Sequence, residues 1–179
     1  MFIIVKLSKE KGEIYMTATH TQAQYATTEF MVNHIVANLG VLHVKLHQYH
    51  WYVQGPHFFT LHEKFEALYN EANQYFDEFA ERLLAKGEKP YSTLAEFLEH
   101  SFITEEPYYN KIPAEKMVEN LVNDYRTIRD VTIKSISLAN EEDDPVTEDM
   151  LIGYKNSIDQ TIWMLQAFLG KDSLDGEED

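Results

Sequence analysis

Four long stretches of the chain carry apolar residues at intervals of three or four, the spacing that places side chains on one face of an α-helix. Strict alternation typical of a strand is not evident, and no internal repeat is present. The sequence therefore predicts an all-α protein folded as a four-helix bundle. The four helices, A to D, have the approximate limits 28–53, 60–86, 114–139 and 147–169.

The predicted core consists of the apolar stripe on each helix. Val36, Val41 and Val44 lie off the stripe of helix A, as expected for a helix buried between its own bundle and a neighbour. The four stripes are Met31, Ile35, Leu39, Leu42, Leu46, Tyr49 and Val53; Leu61, Phe65, Leu68, Ala72, Phe76, Phe79 and Leu83; Met117, Leu121, Tyr125, Ile128 and Val131; and Tyr154, Ile158, Ile162, Leu165 and Leu169.

Local signals predict where helices begin. Thr60 and Glu63 fit a capping box, in which the threonine hydroxyl and the glutamate carboxylate bind backbone N–H groups at a helix start. The same signature at Thr93 predicts one short extra helix, ending near His100, in the connection between helices B and C. Thr147 is the predicted cap of helix D.

The helices define one domain, residues 21–170, flanked by two terminal segments. Residues 1–20 are expected to form a flexible extension, and residues 171–179 a mobile acidic tail. Met16 is a second candidate start, because codons for Lys11 to Glu13 can spell a purine-rich ribosome-binding sequence.

Composition excludes several classes of protein. The chain has no cysteine, so disulfide frameworks, thiol catalysis and thiolate metal sites are excluded. Its 30 acidic and 15 basic residues give a net charge of -15, which repels nucleic-acid phosphates and attracts cations. No stretch has the length and apolar character of a signal peptide or a membrane span, so a cytoplasmic location is expected.

The stretch from Leu42 to Glu81 contains five of the eight histidines and two carboxylate pairs. Nitrogen and oxygen donors of this kind suit iron, manganese or zinc. The sequence therefore predicts a metal site. Its five candidate ligands are His50, His62, Glu66, Asp77 and Glu81.

Helical geometry predicts that two subunits share this site. The helix B ligands lie away from its apolar stripe, and His62 is separated from Asp77 by a rise of about 22 Å. His50 lies close to His62, because helix A ends where helix B begins. A two-fold axis across the middle of helix B would bring the histidine end of one subunit against the carboxylate end of the other.

Less specific roles compete with this interpretation. Outward carboxylates four residues apart, such as Asp77 and Glu81, are more often solvated surface than ligands. His43 and His47 are predicted to be packing or interface residues, and Trp51 either an interface or a near-site aromatic. No Glu-x-x-His motif is present, which argues against a di-iron site at the bundle centre. The remaining histidines are expected to be structural or exposed: His20, His34, His57 and His100.

The chain resembles the core of the Dps family, miniferritins named as DNA-binding proteins from starved cells, over KLHQYHWYVQGPHFFTLHEKFEALYNEANQYFDEFAERLLAKGEKPYSTLAEFLEH. The likeness runs from about Thr28 to Gly170 and includes the late segment IDQTIWMLQAFLG. Its most specific part is the pattern His-x11-His-x3-Asp/Glu-x10-Asp-x3-Glu, where x is any residue. The pattern is complete here.

The resemblance implies a hollow homododecamer with a ferroxidase site at each two-fold interface. Such a shell oxidises Fe(II), preferentially with hydrogen peroxide, and stores Fe(III) inside, which protects the cell and its DNA. The resemblance also implies that His50, His62 and Glu66 come from one subunit and that Asp77 and Glu81 come from the other.

The resemblance extends to two further features. Trp51 falls at a family tryptophan beside the site. The acidic turn at residues 141–149 matches a region that lines negatively charged pores, although Asn140 and Pro145 stand where relatives can have aspartate.

Two other functions remain open at this stage. The first is a nucleoid protein that condenses DNA; Lys6, Lys9 and Lys11 are the only basic cluster at a terminus, so DNA binding is expected to be weak or absent. The second is a helical interaction module with a solvated charged face, which would form a small oligomer without iron oxidation.

Overall fold

The computed structural model describes residues 26–177 in full and, before them, the backbone of two strands. β1 (Val5–Glu10) and β2 (Glu13–Ala18) pair antiparallel, with Val5 opposite Ala18 and Glu10 opposite Glu13. We had not predicted strands in this extension. His20 and Lys11 lie outside the described residues, and the division at residues 20 and 170 stays a prediction.

Five helices form the body of the protein. Their bounds are α1 Thr28–Tyr52, α2 Phe58–Ala85, α3 Leu94–His100, α4 Ala114–Glu141 and α5 Pro145–Phe168. α1 packs against α2, α3 and α4, and α4 packs against α5. The predicted all-α four-helix bundle with a short extra helix is confirmed. No helix in the described part of the chain is long and apolar enough to cross a membrane.

The predicted apolar stripes form the core. Every residue of the four stripes is buried except Phe76 and Leu169, which are partly buried against the same core. Val36 and Val41 are buried as well, whereas Val44 is 43% exposed. α1 is therefore buried within its own chain on more than one side, and Val44 marks the side left open.

The short helix α3 is held against α1 by close packing. A Cβ atom built on Gly40 would lie 2.8 Å from Cδ2 of Phe97, so only glycine lets α3 approach this closely. The predicted capping box is present, with Thr93 accepting from the backbone N–H of Glu96 and the Glu96 carboxylate accepting from that of Thr93.

The start of α2 differs from the prediction. The helix begins at Phe58, so Thr60 lies inside the first turn and the predicted capping box there is wrong. Gly55 adopts a φ of +109°, and the backbone N–H of Phe58 donates to its carbonyl at 3.1 Å. This turn leads directly into the helix, and the Phe58 ring then stacks on His62.

The start of α5 also differs. Asp144, and not Thr147, caps the helix: its carboxylate accepts from the Thr147 backbone N–H at 3.1 Å. The same carboxylate accepts from Arg82 at 2.8 Å and forms an ion pair with Lys86. Burial opposes its charge, but the hydrogen bonds from Lys86 and Thr147 outweigh that effect and hold the pKa of Asp144 well below its usual range.

The acidic turn between α4 and α5 ties this end of the bundle together. The Glu142 carboxylate accepts from the backbone N–H of Thr28 at 3.2 Å, which satisfies a donor at the start of α1. Lys86 joins Asp144 and Glu29 at 2.5 Å each. The carboxylates of Glu142 and Asp144 in this turn are therefore bound by groups of the same chain. Carboxylates bound in this way are less available to line the pore that the resemblance implies.

The acidic tail contacts α4 in its described part. The Glu177 carboxylate lies between Arg126, at 3.2 Å, and Arg129, at 2.9 Å. The Asp175 carbonyl accepts from Arg126 at 2.6 Å and from Gln166 at 2.7 Å. We had expected a mobile tail; in its described part, Glu177 forms ion pairs with two arginines of α4.

Replacing Asp144 tests the ion-pair cluster. Asp144→Ala removes the cap of α5 and the carboxylate that Arg82 and Lys86 bind. We therefore expect the free energy of unfolding to fall by about 1 to 3 kcal/mol. Asp144→Asn keeps a capping oxygen and should cost less. Thermal unfolding followed by circular dichroism would measure both, with Asp149→Asn as a charge-matched control on an exposed residue.

The pH dependence of that loss has a definite sign. A carboxylate whose folded pKa is depressed contributes stability above its unfolded pKa, about 3.9, and loses it as pH falls towards the folded pKa. The difference between wild type and Asp144→Asn should therefore be full above about pH 5 and shrink below about pH 4. A difference that is constant across this range would contradict the role of the charge.

Candidate metal centre

His50 and His62 face each other where α1 ends and α2 begins. Their rings stack with centroids 3.7 Å apart and an interplanar angle of 19°. Nδ1 of His50 donates to the His62 carbonyl at 2.8 Å, and Nδ1 of His62 donates to the His50 carbonyl at 2.9 Å. The turn through Gly55 makes this exchange possible, because it brings the two antiparallel helices together within a few residues.

These two hydrogen bonds determine which ring nitrogen can bind a metal ion. A carbonyl oxygen only accepts, so the Nδ1 atoms of His50 and His62 must carry the protons. In a neutral imidazole, Nε2 then keeps its lone pair and can bind a metal. A backbone carbonyl on the other ring nitrogen is the usual support for a metal-binding histidine. Both rings are only partly buried, so ions can reach them.

Glu66 lies on the same side of α2 as His62, one helical turn further on. Its carboxylate is exposed and lies beside the phenol of Tyr69. Burial raises the pKa of Tyr69, and the negative charge of Glu66 raises it further. The Glu66 carboxylate therefore lies on the histidine end of α2, beside Tyr69.

Asp77 and Glu81 are exposed near the other end of α2. Fifteen residues of helix separate Asp77 from His62, a rise of about 22 Å. Among the residues that the structure describes, no three histidine or acidic side chains are grouped to hold one ion. The structure thus brings His50 and His62 together, with Glu66 close by, and leaves Asp77 and Glu81 apart within one chain.

The three candidate carboxylates differ from the structural acids of the fold. Within residues 26–177, no ion pair involves Glu66, Asp77 or Glu81. Unneutralised carboxylates on an exposed helix face attract cations. They are therefore available to a divalent ion without first breaking an ion pair.

Two aromatic residues of the site were missed from the sequence. Tyr69 is edge-on to His50, with centroids 5.4 Å apart, and Phe58 stacks on His62 at 5.0 Å. Tyr69 stands seven residues after His62, two helical turns along the same side of α2, so this spacing could have identified it. Phe58 was missed because the sequence predicted that α2 begins at Thr60, and the helix begins at Phe58.

The other described histidines have structural contacts. His47 stacks on Tyr69 with centroids 3.9 Å apart, and His43 donates to the Tyr69 carbonyl at 3.3 Å. His34 is buried and donates to the His100 carbonyl at 2.7 Å. His34 and His100 therefore have the structural roles expected for them.

Trp51 and His57 are exposed residues in the segment that joins His50 to His62 along the chain. Trp51 is 68% exposed, with its ring edge-on to His47 at 5.6 Å. Val44, seven residues earlier on α1, is exposed as well. The two predicted roles of Trp51, interface and near-site aromatic, are both compatible with this position.

Comparison with known proteins assigns the family. The ferritin-like domain family matches residues 30–174. A protein of Listeria innocua named DNA protection during starvation protein is 51% identical over 149 residues, which are 83% of this chain and 95% of that protein. A Bacillus anthracis protein, DNA protection during starvation protein 2, is 46% identical over 141 residues, 79% of this chain and 95% of its own length. The chain belongs to the Dps family of ferritin-like proteins.

Solved Dps structures share the fold. Dps from Listeria innocua superposes with a TM-score of 0.82 at 50% identity, covering 83% of this chain and 98% of that one. Dps from Staphylococcus aureus gives a TM-score of 0.77 at 46% identity, covering 79% and 94%. The resemblance noted from the sequence is confirmed at the level of the family, whereas the five ligands stay a prediction for this Dps chain.

The histidine pair can be tested by anaerobic Fe(II) titration. His62→Ala removes one Nε2 donor and also the Nδ1–H that donates to the His50 carbonyl, so we expect Fe(II) affinity to fall at least about tenfold. His57→Ala, a nearby exposed histidine outside the pair, is the matched control and should bind as wild type does. Equal loss in both variants would mean that the pair has no special role.

Proposed function

We propose that this protein is a miniferritin subunit that oxidises Fe(II) at sites shared by two subunits and stores Fe(III) inside a hollow homododecamer. Membership of the ferritin-like Dps family supports iron storage and DNA protection in general. The observation that carries the finer proposal is the reciprocal hydrogen bonding of His50 and His62, which leaves both Nε2 atoms open. A cytoplasmic location stays a prediction.

Each site would combine two half-sites. One subunit provides Nε2 of His50 and His62 and the carboxylate of Glu66; the other provides the carboxylates of Asp77 and Glu81. Neutral imidazoles and hard carboxylate oxygens together bind Fe(II), and the carboxylates favour the more highly charged Fe(III). The rise of about 22 Å along α2 is the reason that two copies are needed.

The proposed reaction is a two-electron reduction of hydrogen peroxide. Two Fe(II) ions each give one electron, the O–O bond breaks, and two protons are taken up to form two water molecules and two Fe(III). Delivery of both electrons at one site avoids release of a hydroxyl radical. The net charge of -15 per chain would raise the local concentration of Fe(II) near the shell and favour retention of Fe(III).

Anaerobic loading with Fe(II) followed by hydrogen peroxide tests the activity. We expect wild type to consume one peroxide for every two Fe(II), because that ratio follows from the electron balance. Asp77→Asn keeps the shape of the side chain but removes a charged donor, and its rate should fall at least about tenfold. Absence of iron-dependent peroxide consumption in assembled wild type would refute the proposal.

Mixing variants tests whether the site is shared. His50→Ala and Asp77→Asn assemblies should each be poorly active. When the two are dissociated and reassembled together, each mixed pair restores one intact site, so activity should recover in part. No recovery, with mixing confirmed by native mass, would count against the two-fold interface.

A second candidate function is DNA binding, because the relatives are named for DNA protection. The charge of -15 opposes it, since neutralising the phosphate charges requires lysine or arginine side chains. We therefore expect no gel shift of duplex DNA at physiological salt. A shift that disappears as salt rises would establish DNA binding and contradict this expectation.

A further inference from the structure

A second pair of histidines has the same backbone support as the first. Nδ1 of His43 donates to the Tyr69 carbonyl at 3.3 Å, and Nδ1 of His47 donates to the His43 carbonyl at 2.9 Å. Both acceptors are carbonyls, so both rings carry the proton on Nδ1 and present the Nε2 lone pair. The proposed iron site uses neither ring.

The spacing of this pair suits a chelated metal ion. His43 and His47 lie one helical turn apart on α1, the i, i+4 spacing by which two histidines of one helix bind zinc in H-E-x-x-H sites. An ion 2.0–2.1 Å from each Nε2 would place the ring centroids about 4.5 to 5.2 Å apart for ligand angles of roughly 90° to 110°. The observed centroid separation is 4.5 Å.

Neighbouring groups hold the two rings in place. Tyr69 stacks on His47 with an interplanar angle of 22°, and it is edge-on to His43 with centroids 6.1 Å apart. The Trp51 ring is edge-on to His47, with centroids 5.6 Å apart. Rings that are fixed by packing and by a backbone hydrogen bond lose little freedom when they bind an ion.

The pair lies close to the proposed two-fold axis. That axis must cross α2 midway between the half-site at His62 and Glu66 and the half-site at Asp77 and Glu81, about level with residues 71 and 72. Tyr69 is about 4 Å from that level along the helix. His43, bonded to the Tyr69 carbonyl, therefore lies near the level at which the axis crosses α2, and a second copy would bring its own pair to the same level from the opposite side.

We propose that His43 and His47, with the same pair of a second copy, form a four-imidazole site for one divalent ion of the zinc class on each two-fold axis. The inference rests on the two-fold interface of the proposed function. Within the described residues no carboxylate joins the pair to make a group of three. An all-imidazole site favours Zn²⁺, Cu²⁺ or Co²⁺ over Fe²⁺, which binds nitrogen ligands more weakly.

Cobalt binding to the assembled protein tests the proposal. Co²⁺ is the probe because its visible absorption reports four-coordinate geometry, and His50→Ala serves as the background because its iron half-site is disabled. We expect one Co²⁺ per two subunits with a four-coordinate spectrum. Adding His43→Gln should weaken binding at least tenfold, whereas adding His57→Gln should leave it unchanged.

Three results would overturn the inference. They are one ion per subunit, binding that survives His43→Gln, and no stoichiometric binding in an assembly of normal native mass. If His43→Gln fails to assemble, His47→Gln removes the other donor and provides the same comparison.

The test separates this inference from the proposed function. Wild type that fails to oxidise Fe(II) but shows His43-dependent Co²⁺ binding refutes only the iron chemistry. The converse result is a His50→Ala assembly that binds no Co²⁺, together with a His43→Gln protein that oxidises Fe(II) normally. That result refutes only the axial site.

Discussion

α2 continues without a break from Phe58 to Ala85, and this continuity determines where its ligands can act. A helix cannot fold back on itself, so side chains near its two ends stay about 22 Å apart. His62 and Asp77 therefore cannot share an ion within one chain. Under the proposed function, metal chemistry is then a property of the assembly, because only a second copy would supply the missing donors. An isolated subunit carries both half-sites, but they lie about 22 Å apart and each lacks the donors of the other.

The acidic residues of the chain fall into two classes, those that form ion pairs within the fold and those that do not. Some are neutralised by the fold: Asp144 binds Arg82 and Lys86, and Lys45 lies 2.6 Å from the buried carboxylate of Asp124. Others, such as Glu66, are exposed on α2 and have no basic partner among the residues described. The excess negative charge therefore lies on exposed residues, where it attracts cations, because the carboxylates inside the bundle are largely paired with lysine or arginine.

Local patterns predicted the helices and the core, and non-local contacts explain the errors. The capping box at Thr93 was predictable because both partners lie within three residues. At Thr147 the same kind of signal failed, since Asp144 gains two cations from α2 that the local sequence does not reveal. The docking of Glu177 on Arg126 joins residues far apart along the chain. Neither contact has a periodicity or a motif from which it could be read.

The candidate site shows the same division between local and non-local information. Spacing identified the histidines and their end of α2, but it could not say which ring nitrogen faces outward. The backbone makes that choice: the His62 carbonyl takes the Nδ1 proton of His50, and the Tyr69 carbonyl takes that of His43. Within one described chain, no carboxylate joins either pair to make a group of three. The proposed iron site adds carboxylates to the first pair, beginning with Glu66 one helical turn after His62, whereas the site proposed at the second pair uses imidazoles alone. Two pairs with identical support can therefore differ in metal preference, because the oxygen donors around them and not the imidazoles decide it.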